Sequence, residues 1–208
     1  NRARDQAHST SCVNNLKQLG MGAGFYANDN ESFFIPSKVN TVTDERWPYH
    51  LFTNYLKNYK VFFCPKIIRI NTTPVIAKNF ATPSYGISLH NIAGSYFSTK
   101  GASAPSNWLN MPAKEPQVGA PVRTVLFVDS YNQTDPTVGN YVVDSWEGSG
   151  GRSSARHRNS VNITWCDGSV RPERCESEFG VYNRLGKISA SSQVGNGLNY
   201  WDRSKARP

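Results

Sequence analysis

Residues 11–26 read Ser-Cys-Val-Asn-Asn-Leu-Lys-Gln-Leu-Gly-Met-Gly-Ala-Gly-Phe-Tyr, and the apolar side chains of this segment recur at the spacing of an α-helix. The steps are four, three, four and three residues, along Cys12, Leu16, Leu19, Ala23 and Tyr26. These side chains share one helix face, while the opposite face is polar. Three glycines lower the intrinsic stability of this helix, which is predicted to run from Ala3 to Asn30. It therefore needs a packing partner, and a β-sheet is the expected one.

Beyond Pro36 the sequence divides into short apolar runs separated by Pro, Gly, Asn and Ser, a pattern typical of strands and turns. A short helix is predicted at 47–59, and a turn is predicted after the apolar run that ends at Cys64. Strands are predicted at 84–89, 122–128, 141–143, 161–166 and 169–171. Asp167-Gly168 separates the last two strands and is a strong hairpin signal. Residues 99–121 and 147–154 are predicted to be long surface loops.

One long helix followed by strands and loops predicts the α+β class, with the N-terminal helix packed on an antiparallel β-sheet that carries long loop insertions. The chain has 208 residues, which is near the size of one domain. Residues 1–30 are expected to form the helix and residues 31–208 the globular head, within one structural domain. The regular alternation of strands and helices that a doubly wound fold requires is missing.

Composition and charge narrow the classes of function. Hydrophobic residues make up 38% of the chain and charged residues 18%, which fits neither a disordered nor a membrane-embedded protein. The net charge is +8, but Lys and Arg are scattered and no cluster resembles a recognition helix, so no nucleic-acid partner is expected. The sequence holds no apolar segment of about 20 residues and no signal peptide. Because the first residues read as the middle of a helix, we expect a natural segment upstream of Asn1.

The four cysteines, at positions 12, 64, 166 and 175, lack the close paired spacing of zinc-binding motifs, so no metal site is expected. An even number of cysteines at wide spacing suits disulfides in an oxidising compartment. The hypothesis pairs Cys12, on the apolar helix face, with Cys64, and it pairs Cys166 with Cys175. Buried thiols are the alternative interpretation.

Asp129, His157 and Asp167 form the one polar set that suggests catalysis, because a histidine with two carboxylates can form a relay or bind a metal. Each carboxylate also has a structural interpretation: Asp167 belongs to the predicted turn, and Asp129 ends an apolar run, where an Asx turn is common. The sequence contains no motif for a catalytic nucleophile or a zinc pair. It therefore favours a protein that is not an enzyme, with no catalytic residue and no cofactor. A calcium ion at a loop is an alternative, although no EF-hand spacing occurs.

Two motifs resemble a known family, the bacterial pilin-like proteins with a prepilin-type processing-associated H-X9-DG domain. The segment from Ser11 to Gly20 is similar to the region just after the hydrophobic helix of that family, and Tyr26 continues the pattern. His157 is followed by nine residues and then Asp167-Gly168, which matches the motif in the family name. Weaker similarities lie between them in the expected order, at 63–65, 84–86 and 125–129. The region beyond Arg171 matches nothing in the family.

The resemblance implies a pilin-like fold and a structural role, as a pseudopilin of the type II secretion or type IV pilus kind. A prepilin peptidase would remove a short leader, and a hydrophobic helix would then continue into residues 1–30. That helix would anchor the protein in the inner membrane, with the domain in the periplasm or at the cell surface. Other pilin-like subunits would be its partners, and the predicted assembly face is that of Cys12, Leu16, Leu19, Ala23 and Tyr26. By the same resemblance His157, Asp167 and Gly168 are structural or of unknown role.

An extracellular glycan-binding module on a membrane anchor is the alternative function. In that case exposed aromatic side chains would stack on sugar rings. Trp108, Trp146 and Trp201 are the candidates for this role.

Overall fold

A computed structural model describes residues 2–40, 42–67, 77–94, 112–143 and 151–175. Helix α1 spans Arg2–Asp29, and helix α2 spans Trp47–Leu51 and continues into a π-helical turn at Phe52–Leu56. The strands of the described ranges are β1 (Lys38–Asn40), β2 (Glu45–Arg46), β3 (Tyr85–Ser88), β4 (Val125–Asn132), β5 (Val142–Val143), β6 (Gly151–Ser153), β7 (Ser160–Trp165) and β8 (Val170–Arg174). A further π-helical turn covers Leu89–Ala93, and short 3-10 turns cover Tyr59–Phe62, Glu115–Gln117 and Pro121–Arg123.

The main sheet is mostly antiparallel, which confirms the α+β class. Its strand order is β5-β3-β4-β7-β8, and β6 pairs with β4 off this path. The β3/β5 pair is parallel, unlike the sequence prediction, whereas the β3/β4, β4/β7, β4/β6 and β7/β8 pairs are antiparallel. Strands β1 and β2 form a separate antiparallel pair that the sequence did not predict.

Helix α1 packs on β7 and β4 through the face that the sequence predicts. Its members are between 0% and 4% exposed: Cys12, Leu16, Leu19, Ala23 and Tyr26. Two of the helix glycines allow α1 to lie close to β7 and to the π-helical turn at Phe52–Leu56. A Cβ at Gly20 would lie 3.0 Å from Cγ2 of Thr164, and one at Gly22 would lie 3.2 Å from the side chain of Leu56. The low helix propensity of these glycines is therefore offset by close tertiary contact.

The loop predicted at 147–154 is wrong in part, because Gly151–Ser153 forms β6 and pairs with residues 130–132 of β4. Glycine favours turns in general, but here it permits a close approach of two backbones. A Cβ at Gly151 would lie only 1.8 Å from the carbonyl oxygen of Val142. The strand predicted from residue 122 begins at Val125 instead, since Pro121 starts a 3-10 turn.

Candidate functional site

Four side chains from four separate parts of the chain converge beneath α1. Cys12 comes from α1, Cys64 follows the 3-10 turn at Tyr59–Phe62, Asp129 lies in β4, and His157 precedes β7. Their potential ligand atoms, two sulfurs, one carboxylate oxygen and one imidazole nitrogen, all lie within 4.8 Å of one another. Cys12, Cys64 and Asp129 are 0% exposed, and the side chain of His157 is 1% exposed.

One nitrogen of His157 lies near both Cys64 and Asp129. Nε2 of His157 lies 3.4 Å from Sγ of Cys64 and 3.8 Å from Oδ2 of Asp129. In a catalytic triad the carboxylate holds one imidazole nitrogen, and the nucleophile contacts the other. Here both groups approach the same nitrogen, and the cluster is closed to solvent. The arrangement therefore does not support nucleophilic catalysis by Cys64.

The sheet topology explains why Asp129 is buried. At Val128 strand β4 pairs with β7, and at Ser130 it pairs with β6, so Asp129 lies where one partner strand gives way to the other. Its Oδ2 accepts a 2.8 Å hydrogen bond from the backbone N–H of Asn162. The expectation of an Asx turn that ends a strand is therefore wrong: β4 continues through Asp129 to Asn132.

His157 is positioned by a tight turn that opens β7. The backbone N–H and C=O groups of His157 and Ser160 bond each other at 3.2 and 3.1 Å. Arg158 and Asn159, the two central residues, have φ values of 57° and 59°. Positive φ at both positions is typical of the turns that suit the twist of paired strands, but it strains a long side chain such as arginine.

The titratable groups of the cluster lie close enough to shift one another's pKa values. Burial by itself would raise the pKa of the Cys64 thiol, but hydrogen bonds with Cys12 and His157 and the charge of Arg156 lower it well below its ordinary value. Burial and the neighbouring Cys64 raise the pKa of Cys12. Burial also raises the pKa of Asp129 to about 6, against the opposing charges of Arg156 and His157. The geometry thus favours negative charge on Cys64 and a proton on Cys12.

Arg156 borders the cluster and is 4% exposed. Its Nε lies 3.3 Å from Oγ of Ser154, and an NH2 group donates to the carbonyl oxygen of Ser130. Ser84 braces the opposite side, where its hydroxyl accepts a 2.8 Å hydrogen bond from the backbone N–H of Cys64. These bonds hold the loops that carry Cys64 and His157 against the sheet.

Two buried polar atoms of the cluster make no hydrogen bond with the described residues. Oδ1 of Asp129 and Nδ1 of His157 are buried and have no hydrogen-bond partner within the described parts of the chain. A buried polar atom that makes no bond costs about 1–3 kcal/mol. The cluster therefore holds uncompensated polar atoms deep in the core.

The two halves of the H-X9-DG motif lie apart. His157 precedes β7, and Asp167-Gly168 forms the turn after it, so the six residues of β7 separate them. Oδ1 of Asp167 accepts hydrogen bonds from the N–H and the hydroxyl of Ser169, at 3.0 and 2.7 Å. Gly168 has φ +81°, which suits glycine. Asp167 thus supports the hairpin turn, as the sequence predicts, and it does not share a site with His157.

Of the two predicted disulfides, one joins cysteines that lie close together and the other joins cysteines that lie far apart. All four cysteines are thiols in this structure. Cys12 and Cys64 lie side by side, as expected for a pair. The pairing of Cys166 with Cys175 is wrong, because Cys166 follows β7 at the hairpin turn and Cys175 lies at the other end of the ladder, bonded to Asn159. The β7/β8 ladder has five residue pairs, so its two ends lie about 17 Å apart. A disulfide needs Cα atoms within about 7 Å.

The predicted assembly face also needs correction, because its members, from Cys12 to Tyr26, belong to the core of their own chain. That face holds α1 to the sheet and is not available to another subunit. Trp108, Trp146 and Trp201, the aromatic candidates for glycan binding, lie outside the described residues.

Comparisons with models of protein families, with curated proteins and with solved structures found no match for this chain. Among the described helices, none combines the length and the apolar character that crossing a membrane requires.

Proposed function

We propose that this chain is the globular part of a pilin-like (pseudopilin) subunit, a structural protein that assembles with copies of its own kind. The observation that carries the proposal is the division of α1 into two parts. From Cys12 to Ala27 the helix buries one face in the head, whereas Arg2–Ser11 contains no buried residue.

The dimensions of α1 suit this role. At 1.5 Å per residue its 28 residues extend over about 42 Å, and the ten residues before Cys12 account for about 15 Å of that length. In this first part a 3.5 Å ion pair joins Asp5 to Lys66. Surface ion pairs contribute little, about 0–1 kcal/mol, so this contact stabilises the first part of the helix only slightly, and every residue from 2 to 11 is at least partly exposed.

The outer face of the buried part offers a surface for a second copy. Met21 is 56% exposed and Phe25 is 55% exposed, although both are large apolar side chains. They lie four residues apart and therefore on the same side of α1. Contact with the helix of a neighbouring subunit would remove this apolar surface from water. The assembly face would then be that of Met21 and Phe25 and not the buried one.

Membrane attachment is part of the same proposal. By the resemblance, a hydrophobic helix upstream of Asn1 anchors the full-length protein in the inner membrane after a prepilin peptidase has removed the leader. The head then lies in the periplasm or at the cell surface.

Mass spectrometry of the mature natural N-terminus tests this part. We expect a start about 20–30 apolar residues upstream, with an N-methylated first residue. Cleavage of a conventional signal peptide next to Asn1 would contradict the proposal and favour the glycan-binding module.

Photo-crosslinking in cells tests the assembly directly. A photoreactive residue at position 25 of the full-length protein should give crosslinked multimers of this chain. The matched control is position 122, because Val122 is another apolar residue of similar exposure, 49%, that belongs to the 3-10 turn at Pro121–Arg123 and not to α1. Equal crosslinking from both positions, or none from position 25, would contradict assembly through the outer face of α1.

A further inference from the structure

We propose that Cys12, Cys64, Asp129 and His157 form a structural binding site for one zinc ion. This site goes beyond the proposed function and does not depend on it. No motif of closely spaced ligands marks it in the sequence, because its four members come from α1, a loop, β4 and the turn before β7.

The donor set is the first argument. Two sulfurs, one imidazole nitrogen and one carboxylate oxygen are all ligand types that zinc binds, usually with four ligands at the corners of a tetrahedron. Calcium and magnesium prefer oxygen ligands, so thiolates argue against them at this place. All four positions are supplied by the chain itself and none is open to solvent, which is typical of structural sites and not of catalytic ones.

The distances are the second argument. A tetrahedral zinc ion, about 2.3 Å from sulfur and about 2.0–2.1 Å from nitrogen and oxygen, holds its ligand atoms about 3.3–3.8 Å from one another. The measured separations are 3.4 Å from Nε2 of His157 to Sγ of Cys64 and 3.8 Å from the same nitrogen to Oδ2 of Asp129. The widest pair, at no more than 4.8 Å, needs to close by about 1 Å.

The unpaired atoms and the charges are the third argument. Oδ1 of Asp129 is buried with no hydrogen-bond partner in the described ranges, which is costly unless a cation compensates for it. Binding of the ion would displace the proton of Cys12 to solvent, and the two thiolates and one carboxylate would then carry three negative charges. A divalent ion together with the guanidinium of Arg156 balances them, so the core gains no net charge.

The consequence is a metal link between the helix and the sheet. The ion would join α1, through Cys12, to β4 and to the turn before β7, through Asp129 and His157. In the unfolded chain these ligands are far apart in sequence, so the binding free energy would add to the free energy of unfolding. The histidine of the H-X9-DG motif would thereby have a definite role as a metal ligand.

Zinc binding by the full chain tests the proposal. The protein is reduced, treated with a chelator, and given zinc alone. We expect one zinc per chain by mass spectrometry under native conditions, and a melting temperature that rises with zinc concentration. X-ray absorption of the zinc-loaded protein should show two sulfur ligands and two lighter ones. Since this last measurement uses the unaltered protein, it does not depend on whether a variant folds.

Variants localise the site. Cys12→Ser and His157→Asn should lose stoichiometric zinc binding. Cys166→Ser is the matched control, because Cys166 lies at the far end of β7, and it should bind zinc as before. The proposal is overturned if the reduced protein takes up no stoichiometric zinc, or if the bound zinc has fewer than two sulfur ligands. A Cys12–Cys64 disulfide in the protein isolated from its natural compartment would also overturn it, in favour of a covalent link at the same place.

Discussion

The hydroxyl of Thr164, in β7, donates a 3.1 Å hydrogen bond to the main-chain carbonyl oxygen of Leu16, in the middle of α1. Both residues are fully buried. A helix carbonyl normally accepts from the helix alone, so this bond fixes the position of α1 along the strand as well as its distance from the sheet. Hydrophobic contact by itself is not directional and cannot set that position.

Thr164→Val should lower the free energy of unfolding by about 0.5–1.5 kcal/mol, because it removes the hydroxyl from a buried bond and keeps the side-chain volume. Thr164→Ser keeps the hydroxyl and is the control for the bond, although it loses a methyl group. Urea unfolding measures both variants. If the serine variant is destabilised more than the valine variant, packing of the methyl group and not the hydrogen bond holds the helix.

Gly151→Ala should lower the free energy of unfolding by about 3 kcal/mol or more. The new Cβ would lie 1.8 Å from the carbonyl oxygen of Val142 and would force β5 and β6 apart. Gly24→Ala in α1 is the matched control. Apart from the backbone of α1 itself, no atom of the described residues lies within 4 Å of a Cβ at Gly24, so this change should stabilise the protein by roughly 0.5–1 kcal/mol through helix propensity. Thermal unfolding of the two variants should show shifts of opposite sign.

Asp44 should contribute stability that is lost in acid. Lys38 lies 2.7 Å from its carboxylate and Arg46 lies 2.8 Å away. Partial burial favours a higher pKa, but the hydrogen bonds and charges of these two partners outweigh it and lower the pKa of Asp44. The contribution is therefore present above the pKa of the unfolded carboxyl and disappears as the pH falls through the lower pKa of the folded state.

The measurement for Asp44 is a series of urea midpoints from neutral to acid pH. The protein should lose more stability over this range than Asp44→Asn does, because the variant has no carboxylate to protonate. Parallel curves for the two proteins would show that the ion pairs formed by Asp44 do not contribute measurably.

Asp167→Ala should cost about 0.5–2 kcal/mol of stability, by analogy with the loss of a capping side chain, because the N–H of Ser169 loses its partner. The same variant should bind zinc like the unaltered chain, whereas His157→Asn should not. In the double variant that carries Asp167→Ala and His157→Asn, the change in the free energy of unfolding should equal the sum of the changes in the two single variants, since β7 separates the residues. Strong coupling between them would mean that the two ends of the motif act as one site.

Local patterns explain why much of the fold could be predicted. The apolar spacing from Cys12 to Tyr26 identifies the buried face of α1, and Asp167-Gly168 identifies the β7–β8 turn, because both depend on residues close in the chain. Strand β6 was predicted as part of a loop, because the role of Gly151 depends on Val142, a residue from another strand. For the same reason the parallel pairing of β3 with β5 has no local signal.

The α+β class, the helix with its buried face and the turn at Asp167 can all be predicted from the residue pattern, since periodicity and turn chemistry act between near neighbours. The folded chain was needed to see that Cys12 and Cys64 meet His157 and Asp129, that Cys166 and Cys175 lie apart, and that Met21 and Phe25 are exposed on α1. These contacts join residues that are far apart in the chain, because strand pairing and helix packing act across the fold. The pairing of β4 with β7 brings Asp129 near the turn of His157, and the register of β7 against β8 keeps Cys166 and Cys175 apart; no local pattern encodes either pairing.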